Sequence, residues 1–342
     1  MTKSEFNPQQ RTCCGFFFNL NSPSQLAQRL LFILFIVCHN LNAQNSASSF
    51  LRPADSLVKK RVFLAGGFSA LSYTGFSAGL YFAWYRNQNL GKFRQFNDWN
   101  EWRHMDKMGH LYNGFFQSDL IYQGARWTGM NKRHALLYGV GISMLFQSTI
   151  ELYDGFSPKW GFSWPDMAAN GIGGGLFFVQ EALWNEQKFY LKFSSYPIKY
   201  SRQQVLQLRA DELFGTSLGE RLLKDYNTQT YWLSFNPVHW NGTSKRYWPK
   251  FLNIALGYGT NNLYGGYRNE WVEKDGTFRK LDALEYPRYA QYLLSLDIDL
   301  RKIPVKNPYL KSVFRILNIF KFPFPALELN SLGKVKGYWL YY

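Results

Sequence analysis

Cysteine is nearly absent from this 342-residue chain, and Cys13, Cys14 and Cys38 all fall before residue 43. Beyond that point a disulfide framework, a thiol nucleophile and a cysteine-ligated metal are excluded. There is no Gly-x-Ser-x-Gly nucleophile elbow and no dinucleotide fingerprint after a strand. The Lys, Arg-Pro and paired-His arrangement of acid phosphatases that act on lipid phosphates is also missing. These absences lower the expectation of an enzyme. Near the start, the apolar run Leu30 to Val37 falls short of the roughly 20 residues that span a bilayer. Preceded by Arg29 and followed by Leu41-Asn42-Ala43, it reads as a signal peptide over residues 1–43, with cleavage after Ala43. A lipobox at Cys38 fits less well, because Val37 stands where a small residue should precede it.

Acidic residues are scarce, 23 against 39 basic ones, for a formal charge of +16. Removal of the leader would take away Lys3, Arg11, Arg29 and Glu5 and leave about +14. The basic residues are dispersed rather than striped, which fits membrane lipid head groups or lipopolysaccharide phosphates better than nucleic acid or nucleotide. Aromatics make up 19% of the chain, as in interface-anchored or barrel proteins. Location at the outer membrane or the periplasmic face of the envelope is expected. A mean hydropathy of −0.30 argues against the alternative, an integral inner-membrane bundle.

The fold class expected is α+β. Residues 55–187 read as a glycine-rich bundle of about four helices, near 62–85, 106–126, 133–153 and 165–184. The first has no charged side chain and carries Gly75-x-x-x-Gly79, a spacing that lets helices approach closely. Residues 188–342 turn to strand-like alternation, forming an antiparallel sheet or a partial or small barrel. Tyr292, Leu294, Leu296, Ile298 and Leu300 alternate with Gln291, Ser295, Asp297, Asp299 and Arg301. Shorter runs lie at 189–196, 231–236, 251–259, 326–329 and 335–342, and one amphipathic helix is expected near 308–320. The terminal Tyr342 resembles the last residue of outer-membrane barrels.

Polar residues planted in the helical half form three clusters: Asp106-Lys107-x-x-His110, Glu151-x-x-Asp154-Gly155, and Ser163-x-x-Asp166-x-x-x-Asn170-x-x-Gly173. Charges on apolar helices are costly unless partnered, so a shared site is expected. Asp106 and His110, like Asp166 and Asn170, are four apart and share a helix face. One imidazole and several carboxylates suit a hard or borderline divalent cation, or a general acid/base pair. The metal ligands would be Asp106, His110, Asp154 and Asp166, with Glu151 as general base. The alternative is a buried network pinning three helices in register, with Lys107 or Arg133 as countercharge and Ser163, Asn170 and Gly173 as supports. His104 reads as a loop residue, His134 as a surface or capping residue, and His239 as packed among aromatics. Trp99 and Trp102 read as interface anchors, and the glycines from Gly171 to Gly175 as helix packing.

In these motifs the chain resembles the predicted periplasmic lipoproteins typified by YfiM, a family of unknown function, and the VanZ-like membrane proteins. The resemblance spans about residues 95–185 and rests on Asp106, Lys107, His110, Glu151, Asp166, Asn170 and Gly173. At Asp154 the chain departs from the VanZ-like pattern, which often has Gln. The resemblance implies a compact helical unit in the envelope and brings no reaction with it. The expected function is an exported envelope protein with a structural role or one in binding lipid or another envelope component. The alternative is a metal-dependent hydrolase of a lipid or cell-wall precursor.

Overall fold

A computed structural model describes residues 50–86, 89–196, 198, 200, 203–238 and 248–341. The leader at 1–43, the three cysteines, His239 and Tyr342 lie outside these. Among the described residues, four long helices occupy the first half: α1 (Lys59–Leu80), α2 (Met105–Trp127), α3 (Lys132–Phe156) and α4 (Trp164–Trp184). Their starts obey local chemistry. Asn131 caps α3 by accepting from the His134 N–H, and Ser163 caps α4 by accepting from the Asp166 N–H, with Pro165 in the first turn.

The expected four-helix bundle is in fact a three-helix one. α2, α3 and α4 share a core of Phe115, Tyr122, Leu136 and Phe177. α1 leans on α3 through Tyr73 and Phe76 against Phe146, yet contributes no buried residue. Cβ atoms at Gly75 and Gly79 would meet nothing, so that pair mediates no close approach within the described residues. The close approach is between α2 and α4. A Cβ on Gly114 would lie 2.4 Å from the Asn170 carbonyl oxygen, and one on Gly173 2.1 Å from that of Leu111. Gly174 is also snug there, whereas Gly171 and Gly175 face open space.

The second half forms a six-stranded antiparallel sheet in the order β1-β2-β3-β6-β7-β8. Its strands are β1 (Phe189–Ser195), β2 (Gln229–Phe235), β3 (Leu252–Asn261), β6 (Tyr289–Ile298), β7 (Phe324–Asn330) and β8 (Val335–Tyr341). A side hairpin, β4 (Glu270–Val272) with β5 (Phe278–Lys280), turns at Gly276, whose φ is +85°. Besides α7 (Pro308–Leu317), this half holds two helices that were not expected, α5 (Gln204–Phe214) and α6 (Leu218–Lys224). The sequence did carry a mark of α6: Ser217 and Glu220 form a reciprocal capping box.

The sheet curls without closing. Tyr341 on β8 reaches β2, its hydroxyl 2.9 Å from Thr230 Oγ1. The outer edge of β1 is bonded by residues 319–321, through Phe193 N–H to Ile319 and Lys321 N–H to Phe193. Among the described residues β1 and β8 do not pair, so this is a half-shell, not a barrel.

Register assigns each face of the half-shell. One row across all six strands is Phe193, Tyr231, Tyr258, Tyr292, Leu329 and Val335. The next row on the other face is Lys192, Trp232, Gly257, Leu293, Glu328 and Lys336. The concave face is buried from β1 to β7 and largely polar. Lys192 Nζ lies 2.7 Å from Asp297 Oδ2, which also accepts from Ser234 at 2.6 Å. Glu328 accepts from Tyr338 and Gln291 at 2.6 and 2.8 Å. Trp232 fills the hollow over Gly257, where a Cβ would lie 2.7 Å from its ring. The convex face is apolar. Over β1 and β2 it is covered by α2, with Phe193 and Tyr231 packed on Met105 and Tyr112. Tyr258 on β3 still packs at the edge of that cluster, and beyond it the face is bare: Leu256, Leu294, Leu327 and Leu329 are about half exposed.

Candidate functional site

The polar clusters converge where α2, α3 and α4 meet. α2 is led in by Trp102, Arg103 and His104, all in the left-handed region at φ of 48°, 52° and 67°. That conformation is costly for side chains other than glycine. Tertiary bonds hold it: the Trp102 N–H donates to Gly266 at 2.8 Å, and Tyr258 donates to the Arg103 carbonyl at 2.7 Å. The turn swings Asp106 and Lys107 away from solvent onto the other two helices.

Lys107 sits among three carboxylates, its Nζ 2.8 Å from Asp98, 3.1 Å from Asp106 and 2.7 Å from Asp166. His110 faces another three. Its Nε2 is 3.6 Å from Glu151 Oε1, 3.8 Å from Asp106 Oδ1 and 3.9 Å from Asp166 Oδ1. Its Nδ1 lies 3.1 Å from Asn170 Oδ1, which fixes the ring with Nδ1–H donating. Ser163 ties the loop before α4 to this centre: its hydroxyl donates to Asp98 at 2.6 Å, and its N–H donates to Glu151 Oε2 at 3.0 Å. The Tyr226 hydroxyl, from the segment before β2, donates to Asp106 Oδ1 at 2.8 Å.

Crowding of like charge in a dry setting shifts these groups apart. Burial, aided by the charges of Asp106 and Asp98, pushes Glu151 up to about 7 against the pull of His110. Burial and the Asp106 charge push Asp166 up to about 8. Burial opposes charge on Asp106 as well, but His110, Lys107 and the Tyr226 hydrogen bond outweigh it and hold this carboxyl low. Burial alone would lower His110, yet Asp166, Asp106 and Glu151 raise it to about 9. Glu101, at the entry turn, is raised to about 7 by burial and by Asp106 and Asp98.

Five expected members, Asp106, Lys107, His110, Glu151 and Asp166, meet directly; Ser163 and Asn170 bond to Glu151 and His110, and Gly173 packs against the Leu111 carbonyl. Two expected members lie elsewhere. Asp154 stands apart, accepting from Tyr85 at 2.6 Å; three residues past Glu151, it lies nearly a turn further along α3 and points to the buried ring of Tyr85. Burial raises it to about 7. Arg133 is exposed at the far end of α3, so the countercharge comes from Lys107. His104 bonds the Trp99 carbonyl in the entry turn, and His134 is an exposed capping residue. Trp99 is exposed, whereas Trp102 packs on Phe214 and Tyr226. Sequence reasoning missed Asp98 and Tyr226. Both lie outside the helices, where no periodicity marks them.

Residues 95–181 match a family model described as "Predicted periplasmic lipoprotein (DUF2279)". The matched segment holds the whole cluster except Tyr226, and ends before the sheet. It bears out the periplasmic-lipoprotein part of the resemblance and an exported envelope protein of unknown function. It carries neither the VanZ-like part nor a reaction. No curated protein and no solved structure matches the chain.

Proposed function

We propose that this is an exported envelope protein seated at the outer membrane, where lipid covers the convex face of β3, β6, β7 and β8. The observation that carries the reading is the inside-out burial of the sheet. Along β6, Gln291, Ser295 and Asp297 are buried, while Tyr292, Leu294 and Leu296 are exposed. A sheet in water covers its apolar face first, and one against lipid does the reverse. Contiguous apolar surface of this kind marks an interaction site.

Several features favour lipid as the occupant. Trp339 at the open end is 89% exposed, as interfacial tryptophans are. Amphipathic α7 carries Lys311 and Arg315 as exposed side chains, suited to anionic head groups. The strong excess of basic over acidic residues favours the same partner. Apolar side chains of α1, including Phe63, Phe68 and Leu71, are also bare. α3 is long and apolar enough to cross a membrane, yet Ser143, Gln147 and Glu151 turn its buried side to the bundle. We read it as a bundle helix.

Separation of inner and outer membranes from cells producing the full chain, followed by flotation with vesicles of envelope lipid, tests the proposal. The chain should partition with the outer membrane and float. The double variant Leu294→Glu/Leu327→Glu should sink with the soluble fraction while retaining its thermal transition. Recovery of the unaltered chain in the soluble periplasmic fraction would refute the reading.

A further inference from the structure

The histidine that faces three carboxylates bonds to none of them. An N–H···O bond closes at about 2.9–3.0 Å, and 3.6 to 3.9 Å is beyond its reach. Donor atoms that share a cation at about 2.1 Å stand roughly 3.4 Å apart at a tetrahedral angle and about 4.2 Å apart when opposed. The spacing around His110 Nε2 falls between those limits. One donor atom each from Asp106, His110 and Asp166 can be chosen with all three within 4.8 Å of one another.

A further observation points to a missing partner. Glu151 is only 1% exposed, and its Oε1, aimed at His110, has no hydrogen bond. Unpaired buried groups are costly, and native folds keep few of them. The donors are also oriented from behind: Asn170 Oδ1 accepts from the Nδ1–H of His110, which leaves Nε2 free to ligate. Tyr226 and Lys107 anchor Asp106, and Ser163 anchors Glu151.

We propose that Asp106, His110 and Asp166, with Glu151 as fourth donor, form a binding site for a hard or borderline divalent ion of the manganese or zinc type. One imidazole with carboxylate oxygens suits such ions, whereas calcium takes six to eight oxygen donors. Four carboxylates (Asp98, Asp106, Glu151 and Asp166) face a single ammonium, and a divalent ion brings the cluster close to neutrality. Entry is from the Asp106 side, where the side chain is 25% exposed, while Asp166 and Glu151 form the floor at 5% and 1%. The site does not depend on where the protein resides.

The full chain, purified in detergent and stripped with chelator, is titrated calorimetrically with Mn2+, Zn2+, Mg2+ and Ca2+ separately. One equivalent of Mn2+ or Zn2+ should bind and raise the melting temperature, with Ca2+ at least tenfold weaker. His110→Ala and Asp166→Asn should abolish binding, Asn170→Ala should weaken it 10- to 100-fold, and Asp154→Asn should leave it unchanged. Should His110→Ala fail to fold, nitrogen hyperfine coupling on Mn2+ bound to the unaltered chain supplies the same answer. Absence of stoichiometric binding by Mn2+ and Zn2+, or binding without nitrogen coordination, would overturn the proposal.

Discussion

Lys192 and Asp297 meet 2.7 Å apart with no solvent exposure on either side chain, on the face of the sheet opposite the exposed Leu294 and Leu296. The pair is held further by Ser234, by the Phe322 N–H and by Asn318. Removing one partner leaves a buried charge alone, so Lys192→Met should cost about 3–5 kcal/mol. Lys192→Met/Asp297→Leu should recover most of that loss. Urea denaturation of the two variants decides it, and equal losses would show that the pair is not coupled.

The bundle should be sensitive to volume at Gly173. A methyl there would lie 2.1 Å from the Leu111 carbonyl, so Gly173→Ala should destabilise by about 1–3 kcal/mol. Gly171 faces open space, and Gly171→Ala should be neutral or gain about 0.5–1 kcal/mol from the lower helical cost of alanine. Paired melting curves test the contrast. Equal effects at both positions would show that α2 and α4 are further apart than described.

Stability of the metal-free chain should fall as pH rises from 6 to 9. Glu151 and Asp166 titrate near 7 and 8 in the fold, above ordinary carboxylates, and His110 near 9, above an ordinary imidazole. Each holds its proton more tightly folded than unfolded. Their stabilisation is therefore complete below the unfolded values and is lost as pH passes the folded ones. Asp106, held low, acts oppositely but only in acid. A loss of at least about 1 kcal/mol is expected, since one unit is worth about 1.4 kcal/mol. Urea midpoints at pH 6, 7.5 and 9 after chelation measure it, and a rising trend would contradict the assigned shifts.

Membrane affinity should carry an electrostatic share from α7. Replacing Lys311 or Arg315 with Gln should weaken binding to anionic vesicles by about 1 kcal/mol each, or roughly fivefold. Binding to neutral vesicles should hardly change. Sedimentation with both vesicle types reads this out, and equal losses on the two would assign α7 to packing instead.

Local chemistry alone set much of this molecule. Helix-period spacing and the caps at Asn131 and Ser163 delimit α3 and α4, and two-residue alternation marks all six strands of the main sheet. Those are properties of neighbouring residues, and they survive without knowing what lies across the chain. The i, i+4 spacing likewise put His110 beside Asp106. Asp98 and Tyr226 joined the site, and Asp154 left it, because loop entry and helix rotation set those contacts over long sequence distances.

Alternation announces that a strand has two unlike faces and is silent on which one is covered. Curvature made that choice here. Curling draws Tyr341 back to Thr230 and shuts the Lys192–Asp297 side inside, while α2 covers the apolar side over β1 and β2 and reaches no further than Tyr258 on β3. In the same way, three separately placed clusters become one charged centre only because Gly114 and Gly173 let α2 and α4 come within backbone contact.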